Sequence, residues 1–260
     1  MYPISHRFRE ILINLNKMSN QKPFVSVLTP TYNRRRFIPA LIACYKSQNY
    51  PKDRLEWIVL DDGQDSVEDL FTEAKKTIPN LRYIKLQSKL LIGAKRNRMH
   101  REAKGDILVS KDDDDFYFPE RVSHVVQKFQ QYPKAQLAGS SILHMYYTDV
   151  KVILRLGPYG PNHCTNGTLA VRSSYAKTHF YDETVGFAEE KSFLENYRNP
   201  MIQLDPFKVM LVMSHSENTF NKKQFLSDDQ LERNPFIKMT QYKIRDFIKD
   251  KDLREFYSNA

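Results

Sequence analysis

Cysteine is almost missing from this chain: Cys44 and Cys164 are the only two in 260 residues. Two thiols build no disulfide framework, and their separation matches no metal-ligand pair, so core or pocket-lining positions in a reducing compartment are expected for both. Also missing is any run of roughly 18 uncharged apolar residues, so no membrane-spanning helix is expected. The first 23 residues, MYPISHRFREILINLNKMSNQKP, are broken by charge and lack the apolar core of a signal peptide. A soluble, cytoplasmic protein is the expectation. There is no internal repeat, and no low-complexity stretch beyond four consecutive aspartates, Asp112 to Asp115. Positive charge, by contrast, is in excess: 40 Lys plus Arg against 31 Asp plus Glu, a formal net of +9. That balance favours anionic partners such as nucleotides, nucleic acid or membrane surfaces, or else reflects a generic solvated basic surface.

With 41% hydrophobic residues the chain can bury the core of one large α/β domain or two small ones. From Phe24, short β-rich runs alternate with helical patterns, the signature of a sheet built from βα units. FVSVL (24–28), LEWIVL (55–60), LRYIKL (81–86) and DILVS (106–110) read as strands. Between them, helices are predicted from about Arg34, with Asn33 as N-cap, over 66–78 and over 93–104. A further helix is predicted over 119–129, with Pro119 at its start. After Tyr132 strand-like segments follow one another without helices over 135–156, so an antiparallel portion is expected. A Gly- and Pro-bearing loop (157–167), a strand (168–172), a helix (189–198) and a last strand ending on His215 complete the core. Residues 221–260 are charged and end in an amphipathic helix with Ile244, Phe247 and Ile248 on one side. Its mixed charges, and Lys222 and Lys223 before it, suit covering the core better than touching a membrane.

In an open α/β sheet with right-handed crossovers, the loops at the carboxyl ends of parallel strands gather on one edge and form the ligand crevice. TPTYN (29–33), DDG (61–63) and DDDD (112–115) therefore converge, although they are far apart in sequence. Adjacent carboxylates repel, and ionising them beside an apolar strand is unfavourable unless a cation offsets the charge. Oxygen donors of this kind suit Mg²⁺ or Mn²⁺, with water and phosphate oxygens completing the shell. A metal-bound phosphate ligand is thus expected, against the plainer reading of a solvated acidic turn. An EF-hand calcium loop would need a Gly and a distal Glu that the stretch lacks.

VSVLTPTYNRRRFIPALIACYKSQNYP, LEWIVLDDGQDS, IGAKRNRMHREAKGDILVSKDDDDFYFPERV and FAEEKSFL, in that order, resemble a family 2-like glycosyltransferase of the GT-A fold. The tetra-aspartate variant is similar to versions found in large DNA viruses. The resemblance implies an α/β GT-A architecture: a Rossmann-like mixed sheet flanked by helices, with a smaller antiparallel acceptor-side portion. It divides the chain into an N-terminal extension (1–22), a GT-A domain (23–220) and a C-terminal helical tail (221–260). Within the domain, 23–132 would be the nucleotide-binding half and 133–220 the acceptor half.

The resemblance also implies roles for single residues. Thr29, Pro30, Thr31, Tyr32 and Asn33 would frame the nucleotide base, with Thr31 and Tyr32 in contact. Asp61 or Asp62 would accept a hydrogen bond from a uracil ring, and Lys95 and Arg96 would lie near the base and phosphates. Asp112 would sit near the ribose and Asp114 on the metal, shared with Asp112 and completed by His215, whose imidazole suits Mn²⁺ better than Mg²⁺. Asp115 would orient these ligands, while Asp113, turned away by strand-like alternation, would matter least. Glu190, with Glu189 in reserve, would be the catalytic base of an inverting transfer, although the family more often has Asp at the second position. Two first-turn acids complementing a helix dipole are the plainer reading of that pair. The implied partners are a nucleoside-diphosphate sugar, UDP by preference, and a hydroxyl on a glycan or glycoprotein; no nucleic acid is expected. Two rivals remain. A nucleotidyltransferase would need a Gly-rich phosphate loop, which TPTYNRRR is not, and a non-catalytic basic polyanion binder would use the aspartates structurally.

Overall fold

The computed structural model describes residues 22–218 and 220–260, so the predicted N-terminal extension lies outside the described residues except for Lys22. The chain begins with four βα-type strands: β1 (Val25–Thr31), β2 (Leu55–Asp61), β3 (Leu81–Lys85) and β4 (Ile107–Ser110). They are linked by α1 (Ile38–Lys46), α2 (Glu68–Lys75) and α3 (Ile92–Glu102). β1 pairs in parallel with β2 and β4, and β2 with β3, so the carboxyl ends of all four share one edge. Every residue of β1 and β2 is buried, as expected of parallel strands covered on both faces. On one face Trp57 is sandwiched between α1 and α2, with the Tyr45 ring stacked at 4.4 Å and the Phe71 ring edge-on at 5.6 Å. Such pairs add about 0.5–1.5 kcal/mol beyond the area they bury.

The second part comprises β5 (Phe116–Tyr117), α4 (Arg121–Gln131), β6 (Leu137–Gly139), β7 (Leu143–Tyr147), β8 (Val152–Leu156), β9 (Ala170–Arg172) and α5 (Ser173–Ala176). It continues through α6 (Glu190–Phe193), β10 (Ile202–Gln203), β11 (Met210–Ser214), α7 (Asp228–Arg233), β12 (Ile237–Met239), α8 (Ile244–Phe247) and α9 (Lys251–Ser258). One sheet runs β10-β6-β9-β4-β1-β2-β3 and the other β12-β8-β7-β11-β5. The helix-free run over 135–156 is therefore split between sheets. Ser140 N–H, donating to Thr168 Oγ1 at 3.0 Å, and Ser141 N–H, donating to Gln203 Oε1 at 2.8 Å, carry the chain from β6 to β7. The expected antiparallel portion is present in the β7–β8 hairpin and β12 beside it, but β7 pairs in parallel with β11. Among the described residues no helix is long and apolar enough to cross a membrane.

Three predicted elements differ. Asn33 does not cap a helix: it sits at φ 52, and its Oδ1 accepts from Gln64 N–H and Asp65 N–H at 2.7 and 3.1 Å. A 3₁₀ turn at Arg35–Phe37 leads into α1 instead. The helix predicted over 189–198 stops at Phe193, because Glu195, Asn196 and Tyr197 all take positive φ and Asn196 N–H closes back on Lys191 O at 2.8 Å. The single C-terminal helix is two, α8 and α9. The chain leaves α8 after Phe247, and Asp250 restarts it by accepting Leu253 N–H at 2.9 Å.

Candidate active site

The ends of β1 and β2 meet over a cavity of about 360 Å³ lined by Tyr32, Asp62, Gly63, Gln64 and Lys89 among others. The two aspartates that end β2 are not equivalent. Asp61 is saturated by its own neighbourhood: Oδ1 accepts Gly63 N–H at 2.7 Å, and Oδ2 takes Tyr83 Oη at 2.5 Å and Lys85 Nζ at 3.2 Å. Asp62 faces the cavity, accepting Leu90 N–H at 2.7 Å on Oδ2 and pairing through Oδ1 with Lys95 Nζ. Lys95 also donates to Thr31 O at 3.2 Å, and burial lowers its pKa. Lys89 Nζ lies 4.0 Å above the Tyr32 ring. Thr29 and Pro30 belong to β1 rather than to the loop, and Thr29 Oγ1 accepts from Trp57 Nε1 at 3.0 Å, so Thr29 is not brought into the crevice. Gly63 is required by close approach: a Cβ there would stand 2.6 Å from Asn33 N and 2.7 Å from its Oδ1.

At the end of β4 the four aspartates alternate in exposure, Asp112 and Asp114 half-buried, Asp113 and Asp115 buried. Asp113 is not turned out of the site as strand alternation predicts. Its Oδ1 lies 4.0 Å from Arg34 Nε, and Asp114 Oδ2 lies 3.8 Å from the same atom. Burial and then the Asp114 charge push Asp113 up to about 7. Asp114 goes the other way: burial opposes its ionisation, but the hydrogen bond with His215 and the nearby Lys222 outweigh it and hold Asp114 at about 2. His215 Nε2 and Asp114 Oδ2 are 3.1 Å apart, and Asn218 Oδ1 accepts His215 N–H at 2.8 Å. Asp115 reaches neither Asp112 nor Asp114 by hydrogen bond. Its Oδ1 accepts Met213 N–H at 2.7 Å and its carbonyl accepts Tyr257 Oη–H at 3.0 Å, which anchors the loop to β11 and α9.

Arg96, buried on α3, joins the β4 end to α6. Its Nη2 donates to Asp112 Oδ1 at 3.2 Å and its Nε to Glu189 Oε1 at 2.6 Å. Burial works against the guanidinium charge, but Glu189 and Asp112 outweigh it and raise its pKa. With its amide oxygen turned to the guanidinium, Asn166 accepts from Arg96 Nη1 at 2.6 Å and Nη2 at 3.0 Å, while its NH₂ donates to Tyr181 Oη at 2.7 Å. Glu190 follows Glu189 but is unlike it: burial and the Glu189 charge push its carboxyl up to about 7. Beneath Asp112 the floor is Gly167, where a Cβ would meet Asp112 Oδ2 at 2.7 Å. Arg34, Lys89, Asn166, Tyr181 and Asn218 did not stand out in the sequence. Arg34 reaches Asp113 and Asp114 about 80 positions on, and Asn218 reaches Asp114 across 104, contacts that no local pattern marks; only Asn166, in the Asn-Gly-Thr of the long loop, has a distinctive local pattern.

A divalent cation fits the donors that meet here. Asp114 and His215 supply an oxygen and an imidazole at one point, beside the second carboxylate of Asp113. Among the described residues no group of three or more His, Cys, Asp or Glu is arranged around a common centre. The protein's share of a shell would thus be small, as is usual where phosphate and water fill the rest. Asp112 is turned to Arg96 rather than to that point.

A parallel sheet extended by antiparallel strands, with carboxylates of β2, β4 and α6 at its strand ends, is the architecture of the GT-A fold. The model of Glycosyl transferase family 2 matches residues 26–184, more than half of the chain, and the chain belongs to that family. It is 32% identical over 109 residues to an uncharacterized glycosyltransferase of Haemophilus influenzae, covering 42% of this chain and 35% of that protein. It is also 32% identical over 98 residues to the glycosyltransferase AglE of Haloferax volcanii, covering 37% and 32%. The match thus spans about a third of the length of these curated relatives. Among solved structures, the mannosyltransferase PcManGT of Pyrobaculum calidifontis in complex with GDP-Man and Mn2+ superposes with a TM-score of 0.61 at 16% identity, over 76% of this chain and 59% of that one. S. aureus TarS 1-349 in complex with UDP-GlcNAc superposes with a TM-score of 0.58 at 18% identity, over 75% and 59%.

Proposed function

We propose that the chain is a cytoplasmic, metal-dependent, inverting glycosyltransferase that moves a sugar from a nucleoside-diphosphate sugar, UDP by preference, to a hydroxyl of a glycan or glycoprotein. The observation that carries this reading is the Arg96 bridge, which ties Asp112 to Glu189 and leaves Glu190 beside it with a carboxyl near neutrality. A base poised near the working pH takes a proton most effectively.

In this scheme Tyr32 and Asp62 receive the base in the cavity between β1 and β2, and Lys89 and Lys95 line its phosphate side. Arg96 holds Asp112 toward the donor sugar and engages Glu189 through its Nε. The acceptor oxygen attacks the anomeric carbon from the face opposite the diphosphate. The new C–O bond forms as the bond to the leaving phosphate oxygen breaks, and the acceptor proton passes to Glu190. A divalent ion held by Asp114 and His215 would offset the charge that builds on the diphosphate.

The test is a thermal-shift panel of UDP-, GDP- and dTDP-sugars with and without Mn²⁺, since a ligand bound only by the folded state raises apparent stability. UDP-sugars are expected to give the largest shift, dependent on the ion. Asp114→Ala should remove that dependence and Glu190→Ala should abolish transfer, both with unchanged circular dichroism. Full transfer activity in either variant, or no shift with any donor, defeats the proposal.

A further inference from the structure

Between α1 and the C-terminal tail runs a groove of about 700 Å³ that no role above uses. One wall is a face of α1 with small side chains, Ala40, Ala43 and Ser47, and the floor is made by the buried rings of Phe116, Phe118 and Phe247. At its mouth Phe207 stands 40% exposed. Small side chains let a second helix lie close to the first, and exposed apolar surface of this kind marks a docking face. The charges around the groove run against those of the whole protein. Glu120, Asp246, Asp250 and Asp252 line it against Lys249 alone, in a chain whose formal net charge is +9. An apolar floor under an acidic rim fits a basic amphipathic helix, whose apolar face supplies the affinity while the charges set its orientation.

The chain carries such a sequence in residues 1–21, which lie outside the described residues. Ile4, Phe8, Ile11, Leu12, Leu15 and Met18 recur every three or four positions. At about 100° per residue they share one stripe, flanked on one side by Arg7 and on the other by Arg9. The charged residues of the segment are Arg7, Arg9 and Lys17 against Glu10. The described chain also starts beside the groove. Pro23 O accepts Tyr50 Oη–H at 2.7 Å, and Lys22 Nζ lies 5.5 Å over the Tyr50 ring. Just before Tyr50, Asn49 N–H donates to Pro119 O at 2.9 Å and Gln48 Nε2 to Phe118 O at 2.9 Å, and both acceptor residues line the groove. Residues 19–22 span up to about 14 Å when extended, enough to bring Met18 from beside Tyr50 to the Ser47 end of the groove.

We propose that the groove is the seat of this chain's own residues 4–18, docked as an amphipathic helix. The apolar stripe covers Phe116, Phe118 and Phe247, and Arg7 and Arg9 meet the carboxylates of the rim. A helix over 4–18 is about 22 Å long, enough to run the length of α1, whose nine residues rise about 14 Å. A membrane surface would take the same apolar stripe but would leave the acidic rim of the groove without a purpose. A second copy of the chain would offer the same segment, but the start of the described chain beside Tyr50 puts its own segment within reach at far higher effective concentration.

Hydrogen–deuterium exchange on the full chain tests this. Residues 4–18 should be protected. Ile11→Asp/Leu15→Asp, which puts charge into the stripe without shortening the chain, should speed exchange over 4–18, 39–47 and 251–256 about ten-fold or more. Residues 55–61 of β2, remote from the groove, should stay as slow as in the unaltered chain, which reports that the variant is folded. Arg7→Glu/Arg9→Glu should have part of the same effect, and adding Glu120→Lys/Asp252→Lys to it should restore protection, because the two sets of charges then meet again with their signs exchanged. Rapid exchange of 4–18 in the unaltered chain, unchanged exchange over 39–47 and 251–256 in Ile11→Asp/Leu15→Asp, or a charge exchange without rescue overturns the proposal. Protection that is lost on dilution assigns the groove to a second copy's segment. Protection of 4–18 that appears only with vesicles of equal parts phosphatidylserine and phosphatidylcholine assigns the segment to a membrane, and either result overturns the proposal as well.

Discussion

Glu189 and Glu190 carry the same side chain in different surroundings, and the difference makes a pH prediction. Glu189 Oε1 is held at 2.6 Å by Arg96 Nε, while burial and the Glu189 charge push Glu190 up to about 7. A base acts in its ionised form, which for Glu190 is populated above that value and lost below it. The turnover number should therefore fall as pH drops through about 7. Glu190→Gln should lower it by about 10²–10⁴-fold and remove that limb from the pH profile. A limb that persists in Glu190→Gln would assign the titration to another group. Arg96 makes the complementary prediction for stability. Arg96→Ala leaves Glu189 and Asp112 without their shared cation, and breaking a buried ion pair on one side costs about 3–5 kcal/mol. Arg96→Lys should recover only part of this, because an ammonium lacks the planar fork that reaches Glu189, Asp112 and Asn166 together. Urea denaturation of the three proteins measures both.

At the scale of elements, the crevice exists because β1, β2 and β4 run in parallel and end together. Those strands were legible as short apolar runs closed by Asp-Asp-Gly and by the four aspartates, since burial on both faces leaves a continuous hydrophobic signature. Elements made by tertiary contacts were not. Nothing local marks β5, β10 or β12 as strands, each only two or three residues long. Residues 194–198 carry good helix formers, yet the backbone reverses through Glu195, Asn196 and Tyr197, where the Tyr197 ring meets His163. The same limit applies to the site. Asp112, Glu189 and Arg96 could be named as candidates from their motifs, but their bridge joins residues 93 positions apart and depends on how α6 sits against α3. Asn33 shows what such contacts do: its side chain is an acceptor for the loop after β2, and this is why Gly63 must be glycine. Gly63→Ala places a Cβ 2.6 Å from Asn33 N, an overpacking that costs about 1–3 kcal/mol. The loops carrying Tyr32 and Asp62 should shift apart, and UDP affinity by calorimetry should fall about ten-fold or more. Unchanged affinity would mean that these loops do not shape the base cavity.

Across the whole molecule, the tail that charge patterning predicts as a cover supports the centre. Residues 237–239 extend the second sheet beside β8, and Phe247, Ile248 and Tyr257 are buried in one cluster with Phe116, two residues beyond Asp114. Tyr257 is the direct link. Its hydroxyl donates to the carbonyl of Asp115, while the Asp115 carboxylate holds Met213 N–H, so the aspartate loop is gripped by β11 and α9 at once. Loss of that hydroxyl leaves a buried carbonyl short of its donor, a defect of about 1–3 kcal/mol. The Asp115 carboxyl, whose pKa burial raises, is not itself touched by Tyr257 and keeps its hydrogen bond from Met213 N–H. Tyr257→Phe should therefore lower the urea midpoint and also weaken binding of UDP with Mn²⁺, although the residue touches neither. Deleting residues 251–260 should do both more strongly, because it uncovers the cluster around Phe116 and Ile248 as well. The two effects ought to move together through the series from the intact chain to Tyr257→Phe to the deletion. A deletion variant that is less stable yet binds UDP and Mn²⁺ as tightly as the intact chain would show that the aspartate loop holds its shape from β4 and β11 alone.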